Sequence, residues 1–368
     1  MTVPRWKLIG QWWLGSLLGT LIIATSSPLF VRSYLPQSLD TLRQVAVMPA
    51  GNSYRWRSEG YADTFIGPHG MPGRRDLPPA EGETLRIAIW GDSQAEGVCV
   101  ADTSKLHVQI ERATNRIDQS IVAFPMARSG DDAADWLPQM PRVQDAFKID
   151  VHVLLIAELD DLVAGRDSAA VESRATNTSG IASTLPAFLI ETARRLLTDI
   201  DGQPRRLRFS PGPQRNPSPV VVPRIERKDR EATNDRSDRN SGIVAAERGE
   251  FAAIIKHEWD DVAAQLGQIQ DAAVMIVYAP VLPNITNGIV RTVDGDDQRY
   301  LRLTRATADS GIILVDARDA LRRSAAEGEW PHGFHNGRFG SGHLNETGYR
   351  VIARQIADAL QDQYVEES

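Results

Sequence analysis

The sequence predicts an α/β fold in which helices cover both faces of a parallel sheet of five strands. Short, strongly apolar runs alternate along the chain with longer amphipathic stretches, a pattern typical of strand–helix–strand units. Small or polar residues follow these apolar runs, at the strand ends where parallel sheets bind their ligands. The chain has 368 residues, of which 42% are hydrophobic and 24% charged, and this is the composition of a globular protein with a large core.

Residues 1–32 differ in composition from the rest of the chain, and we expect them to form a membrane anchor. Basic Arg5 and Lys7 precede an apolar run from Leu8 to Thr25. As a helix rising ~1.5 Å per residue, this run is about 27 Å long, close to the thickness of a bilayer core. An uncleaved single-pass anchor is the favoured interpretation. A cleaved signal peptide is the main alternative, since the small residues Ala24 to Ser27 follow, and a buried soluble helix is the third. Either membrane interpretation places the remaining chain outside the cytoplasm.

Residues 33–84 contain many prolines and glycines and no regular apolar period. This pattern predicts an extended lead-in, packed over the surface of a domain that occupies residues 85–368. Cys99 is the only cysteine, so no disulfide can form within the chain. Its apolar neighbours predict a packed core thiol rather than a reactive one. The net charge of -7 argues against a nucleic-acid partner, because phosphate binding needs a basic face.

The first strand of the predicted sheet delivers a serine to the sheet edge. Leu85 to Trp90 is an apolar run that ends in Gly91-Asp92-Ser93. A serine on the turn from this strand into a helix is exposed, and the free N–H groups of the helix start lie beside it. Ser93 is therefore a candidate nucleophile for an acyl group, with an N-cap serine as the alternative. Asp92 is expected to support the loop around it.

The next two strands end in further candidate residues. A helix over Lys105–Thr114 leads to a second strand, Ile121–Met126, whose loop reaches Gly130. The N–H group of a glycine is well placed to donate to an oxyanion. An ordinary turn glycine is an equally good interpretation of Gly130. The third strand, Val151–Ala157, ends in the acidic stretch Glu158–Asp161.

A break in the pattern over residues 166–250 predicts a mobile insertion. It contains one expected helix, Leu185–Thr198, and a tract from Gly202 to Gly242 that is rich in proline and in alternating charges. The alternation then resumes with a helix, two strands and a closing helix: Phe251–Gln270, Ala272–Tyr278, Ile312–Val315 and Glu346–Gln361.

His343 is the candidate base. It lies in a glycine-rich loop just before the closing helix, for which Asn345 is the expected N-cap. A neutral imidazole can take a serine proton near neutral pH, whereas a lone loop histidine is more often an ordinary surface residue. His332, His335 and His343 match no common zinc spacing, so a three-histidine metal site is not expected.

These blocks, in their order, resemble the SGNH (GDSL-type) hydrolases: Gly91-Asp92-Ser93, Gly130, Glu158–Asp161 and Gly342–Tyr349. The resemblance covers roughly residues 85 to 165 and 250 to 365. It implies a flavodoxin-like three-layer α/β/α sandwich and a serine esterase or acyltransferase acting on acyl esters of carbohydrates, lipids or similar groups. The N-terminal segment and lead-in look like those of the exported bacterial branch.

Two positions depart from the family pattern. Asp160 stands where the family has an asparagine whose amide donates to the oxyanion, and an ionised carboxylate cannot donate. Either Asp160 is held neutral, or it has another task. Gly340 stands where the family has an aspartate three residues before the histidine. The sequence then predicts a Ser93–His343 dyad, with a backbone carbonyl or a remote acid to orient the imidazole. Asp316 is one remote candidate, although a solvated strand-end acid or a helix cap is its favoured interpretation.

The predicted function is a serine esterase that acts on acyl esters, including O-acetyl esters of envelope glycans, without a metal or organic cofactor. An O-acyltransferase shares the same machinery and differs only in the acceptor. The departures at Asp160 and Gly340 favour a third hypothesis, a non-catalytic carbohydrate-binding or scaffold protein of the same fold.

Overall fold

The helices and strands are those of a computed structural model, which describes residues 5–30, 35, 37–80, 84–114, 120–163 and 260–366. The strands in chain order are β1 Ser38–Leu39, β2 Ala46–Val47, β3 Ser53–Arg55, β4 Asp63–Phe65, β5 Leu85–Gly91, β6 Ile121–Pro125, β7 Val151–Ile156, β8 Ala273–Tyr278, β9 Asn284–Thr286, β10 Ile289–Arg291 and β11 Ile313–Asp316. The α-helices are α1 Arg5–Phe30, α2 Ser93–Glu96, α3 Leu106–Thr114, α4 Ala133–Trp136, α5 Met140–Phe147, α6 at residues 260–267, α7 Asp297–Asp309, α8 Arg318–Ala326 and α9 Glu346–Glu366. Short 3-10 turns lie at Pro68–Gly70, Asp102–Ser104 and Leu159–Leu162.

Five strands form one parallel sheet in the order β11-β8-β7-β5-β6. Ile87 of β5 lies opposite Ala123 of β6 on one side and Val151 of β7 on the other. The chain therefore leaves β5 in one direction and returns on its opposite side, which makes the carboxyl end of β5 a topological switch point. Crevices open at such points, so the residues that follow β5 are placed to meet a ligand. The predicted α/β class and five-stranded parallel sheet are confirmed.

Alternate side chains of the strands enter two hydrophobic cores, one on each face of the sheet. Ala88 and Trp90 of β5 pack into the core that α4, α5, α6 and α7 cover. Ile87 and Ile89 pack into the core beneath α3, α8 and α9. Burial on both faces explains why β5 and β7 read as continuous apolar runs rather than alternating ones. Each fully buried large side chain contributes about 1.5–3 kcal/mol, so both cores fix the sheet firmly.

Two prolines divide the helical segment over residues 131–147. The segment forms α4 and α5, with Pro138 between them and Pro141 in the first turn of α5, where a missing N–H costs no helical hydrogen bond. The sequence pattern did not indicate α7, α8 or the β9–β10 hairpin, which lie between and after the last two strands of the sheet.

The lead-in forms short antiparallel pairs, β1 with β2 and β3 with β4, and packs on the domain through buried arginines. Arg43 is fully buried and donates to Gln139 Oε1 at 2.9 Å and to Met126 O at 2.5 Å. Arg74 donates to Ala123 O of β6 at 2.8 Å. The lead-in is thus bound to the sheet edge by charged groups whose removal would leave buried acceptors without partners.

The apolar run from Leu8 to Thr25 is helical and belongs to α1. Within the described ranges, no helix has the combination of length and apolarity that crossing a membrane requires, so the predicted transmembrane anchor finds no support. The insertion predicted over residues 166–250, with its helix at Leu185–Thr198, lies outside the described residues.

Candidate active site

Ser93 is presented at the crest of the sheet by a tight turn from β5 into α2. Gly91, with φ 147°, makes this turn possible, because a Cβ there would lie 2.7 Å from Leu155 O and 2.7 Å from the Cβ of Ala95. Asp92, not Ser93, is the N-cap of α2, and its carboxylate accepts from Gln94 N at 2.8 Å. The Ser93 hydroxyl is therefore not used as the cap, and its closest neighbour is a base.

The structure brings Ser93 and His343 together across a sequence separation of 250 residues. The distance from Ser93 Oγ to His343 Nε2 is 3.0 Å. Gln94 holds the peptides on either side of the histidine: it accepts from Leu344 N at 2.9 Å and donates to Gly342 O at 3.4 Å. The residue next to the serine thus fixes the loop that carries the imidazole.

The start of α9 fixes the other side of the His343 loop. Asn345 caps the helix as predicted, since its side chain accepts from Gly348 N at 3.1 Å. The same side chain donates to Trp330 O at 2.8 Å, and Gly333 N donates to His343 O at 2.8 Å. The loop from residue 330 to residue 345 is therefore closed on itself by hydrogen bonds, and the imidazole has little freedom to leave its position.

Glu59 completes the arrangement, and sequence reasoning missed it. Its carboxylate Oε2 is hydrogen-bonded to His343 Nδ1 and also accepts from His343 N at 3.3 Å. Two glycines allow the close packing around this acid, one beside Cys99 and one beside the carboxylate itself. A Cβ at Gly60 would lie 1.9 Å from Cys99 O, and one at Gly342 would lie 2.2 Å from Glu59 Oε1. Asn336 holds Gly60 in place by bonding both its N–H, at 2.8 Å, and its carbonyl, at 2.7 Å.

The structure rules out the remote acid considered from the sequence and explains the glycine at the expected acid position. Asp316 binds Arg318 through contacts of 2.7–3.1 Å and does not orient His343. Gly340 has φ 73°, and a Cβ there would lie 2.6 Å from Ile285 of β9. A side chain at Gly340 would collide with the β9–β10 hairpin, so the acid comes from the lead-in instead.

The neighbours of His343 favour its protonated form. Burial by itself lowers the imidazole pKa, but the hydrogen bond and charge of Glu59, with Asp92 and Glu96 further away, outweigh burial and raise the pKa above its usual value. Burial raises the pKa of Asp92, against the bond from Gln94 N and the charge of His343. A negatively charged Glu59 beside Nδ1 places the neutral ring's proton on that nitrogen, so Nε2 faces the serine as an acceptor.

A buried carboxylate connects the serine helix to the loop of Gly130. Glu96, at the end of α2 and only 6% exposed, accepts from both Ser129 N, at 2.9 Å, and the Ser129 hydroxyl. Arg128 bonds Asp131 in the same loop at 2.7 and 2.9 Å. Gly130, with φ 81°, is exposed in this braced loop. The N–H groups of Ser93 and Gly130 therefore belong to one linked unit.

Asp160 has a task other than hydrogen-bond donation. It lies in the 3-10 turn that follows β7, and its carboxylate forms an ion pair with Arg299 of α7. Arg299 also binds Asp296 at 3.3 Å. An ionised acid held by a guanidinium offers no proton to an oxyanion. Of the two roles left open for Asp160 by the sequence, the paired acid is the one the structure supports.

The three histidines considered as metal ligands do not converge. His332 is fully buried, and burial together with the charge of His343 lowers its pKa to about 3, so it is neutral. His335 stacks on Phe339 with ring centroids 5.4 Å apart. In the described part of the chain, potential ligand atoms cluster elsewhere, at Glu59, Cys99 and His343.

No family model and no curated protein sequence matches the chain. Solved esterase structures match at low identity. The family 3 carbohydrate esterase of Clostridium thermocellum has a TM-score of 0.40 and 12% identity, and the match covers 77% of this chain and 98% of that one. The psychrotrophic esterase EstA of Pseudoalteromonas sp. has a TM-score of 0.38 and 9% identity, with coverages of 76% and 98%. Axe2, an acetylxylan esterase of Geobacillus stearothermophilus, gives 0.36 and 8%, with coverages of 75% and 94%. At these TM-scores no residue role is transferred from them.

Proposed function

We propose that the protein is a serine ester hydrolase with a Ser93–His343–Glu59 triad. One observation carries the proposal: the three side chains form a continuous line of hydrogen bonds, from Ser93 Oγ through both imidazole nitrogens to the Glu59 carboxylate. A serine hydroxyl is a weak nucleophile until an adjacent base takes its proton, and a base works best when a third group fixes its tautomer. The nucleophile, the base and the group that orients the base all lie at the carboxyl end of β5, the topological switch point of the sheet.

The reaction follows from these positions. His343 Nε2 takes the Ser93 proton as Oγ attacks the ester carbonyl, and Glu59 stabilises the imidazolium that forms. The N–H groups of Ser93 and Gly130 receive the developing oxyanion, a contribution worth about 10²–10³-fold per donor. His343 then protonates the leaving alkoxide, and water resolves the acyl-enzyme by the reverse proton transfers. The chain's own groups account for each of these steps.

Acyl esters of carbohydrates, including O-acetyl groups of envelope glycans, are the proposed substrates, on the strength of the sequence resemblance. The hypothesis of a non-catalytic relative loses one of its two supports, because the acid missing at Gly340 is supplied by Glu59. An extracytoplasmic location stays a prediction from the N-terminal sequence.

A fluorophosphonate probe tests the proposal directly, because it reacts only with an activated serine. We expect stoichiometric labelling that maps to Ser93, together with turnover of p-nitrophenyl acetate. Adding a sugar acceptor to the turnover assay separates a hydrolase from an acyltransferase, since only the latter forms an acylated sugar faster than free acid. Labelling at another serine, or none in a protein that is shown to be folded, would refute the assignment.

The pH dependence of the reaction follows from the pKa of His343. The imidazole accepts a proton only when neutral, and its pKa is raised above the ordinary ~6.5. We therefore expect kcat/KM to increase with pH through a half-maximal value above ~6.5. Initial rates measured across the pH range in constant ionic strength give this value directly. An acidic limb centred below ~6.5 would contradict the raised pKa.

Glu96 is expected to act as a positioning residue for the oxyanion donors. Its replacement by alanine removes both bonds to Ser129, frees the Gly130 loop, and should lower kcat by about 10–100-fold with little change in KM. Glu96→Gln keeps an acceptor for Ser129 N and should recover most of the loss. A purely structural role predicts a different result, in which both variants lower the melting temperature but leave kcat unchanged.

A further inference from the structure

A third metal-binding group lies beside the Glu59–His343 pair. Cys99 follows α2, is 2% exposed, and is the only cysteine of the chain. One ligand atom from each of Glu59, Cys99 and His343 lies within 4.8 Å of the others. Burial, and next the charge of Glu59, raises the pKa of the Cys99 thiol to about 12, so the free protein keeps its proton there. The triad does not use this thiol.

We propose that Glu59, Cys99 and His343 form an inhibitory site for a divalent zinc-type ion. Sulfur, imidazole nitrogen and carboxylate oxygen are the three ligand types of protein zinc sites, which accept three protein ligands and a water. Zinc–ligand bonds of about 2.0–2.3 Å bring the ligand atoms to about 3–4 Å from one another. The three ligand atoms lie within 4.8 Å of one another, and the hydrogen-bonded Glu59 and His343 must move apart by small side-chain rotations to admit the ion.

Two of the three groups are partly exposed to solvent. The His343 side chain is 27% exposed and that of Glu59 15%, whereas Cys99 is 2% exposed. An ion can therefore approach from the imidazole side, with water in its fourth position. The carboxylate provides a negative charge at the entrance, and the bound ion deprotonates the thiol in spite of its high pKa.

The inhibitory part of this inference rests on the proposed function, because it concerns the reaction of Ser93 and His343. A bound ion stops that reaction whichever nitrogen of the His343 ring binds it. The thiol proton is released to solvent as the metal–sulfur bond forms. If Nδ1 binds, its proton moves to Nε2, and the ring then faces Ser93, 3.0 Å away, as a donor that cannot accept the serine proton. If Nε2 binds, the lone pair that serves as the base is occupied.

Cobalt(II) provides the test, because a thiolate bound to cobalt gives a charge-transfer absorption. With one cysteine in the chain, such a band can come only from Cys99. We expect the band in the wild-type protein and in Ser93→Ala, displacement of the band by Zn²⁺, and its loss in Cys99→Ser and Cys99→Ala. His335→Ala, which changes an exposed histidine outside the cluster, serves as the matched control and should keep the band. No band in the wild-type protein would overturn the site, and this readout does not depend on catalysis.

A second experiment measures esterase activity in the presence of Zn²⁺ and tests whether the bound ion inhibits the enzyme. Each variant is compared with its own metal-free rate, and the Zn²⁺ concentration for half-inhibition should rise at least about 10-fold in Cys99→Ser. An unchanged half-inhibition concentration in both cysteine variants would refute the inhibitory role. A protein with the cobalt band but no esterase turnover would leave the metal site standing and refute the proposed function, so the two failures are distinguishable.

Discussion

Replacing Ser93 with alanine is expected to lower kcat for p-nitrophenyl acetate by about 10⁴-fold or more, to the level that the oxyanion donors and binding alone support. The Ser93 hydroxyl lies 3.0 Å from His343 Nε2 and is the proposed nucleophile, so its loss removes the covalent step. Steady-state kinetics and loss of fluorophosphonate labelling measure this effect. Because Ser93 is not the N-cap of α2, the variant should fold normally.

The serine and the histidine should behave as one unit. His343→Ala is expected to cost a similar factor, and the Ser93→Ala, His343→Ala double variant about as much as either single one, because each removes the same proton transfer. Losses that multiply in the double variant would show that the two side chains act independently, and the triad would then be wrong. Gln94→Ala is a different control, because it weakens the loop of His343 without removing a reacting atom.

Replacing Glu59 with alanine is expected to lower kcat by about 10²–10⁴-fold, the largest effect of any residue that does not touch the substrate. Without the carboxylate, His343 loses the group that holds its tautomer and stabilises its positive charge. Glu59→Gln also removes the charge, and because that charge raises the His343 pKa, the acidic limb of the pH profile should shift to lower pH. Rates at several pH values separate this effect from a general loss of folding.

Asp316→Asn is the matched control for Glu59, because it changes the acid that the sequence alone suggests as the remote orienter. Asp316 is paired with Arg318, so its replacement should lower stability and leave kcat within a few-fold of the wild-type value. The reverse outcome, with Asp316→Asn inactive and Glu59→Ala active, would remove Glu59 from the triad.

The sheet could be predicted because its strands are buried on both faces, and such strands are visible in the sequence as continuous apolar runs. The observed β5, β6, β7, β8 and β11 lie within one or two residues of the predicted runs. The two candidate residues at the crest, Ser93 and His343, were also visible, because each lies directly beside an element with a clear pattern. The short distance between these two side chains in the folded protein follows from the strand order rather than from any local motif.

Glu59 was not predictable, because nothing in its neighbourhood has a period or a motif. Its position depends on the positive φ of Gly60 and on the hydrogen bonds of Asn336, which is 276 residues away. The pairing of Asp160 with Arg299 likewise joins residues 139 positions apart, one of them on a helix that the pattern did not indicate. Both are tertiary contacts between polar side chains, for which local sequence provides no signal.

The origin of Glu59 in the lead-in has a practical consequence for protein engineering. A fragment that starts at Leu85 retains every strand of the five-stranded sheet, the serine and the histidine, but it loses Arg43 and Arg74, which bind the lead-in to the sheet edge. It would lack the acid, and with it most of the reaction rate. Expression boundaries chosen from the sheet alone would therefore remove a member of the triad, and grafting this chemistry onto another scaffold requires transfer of the loop between β3 and β4 as well.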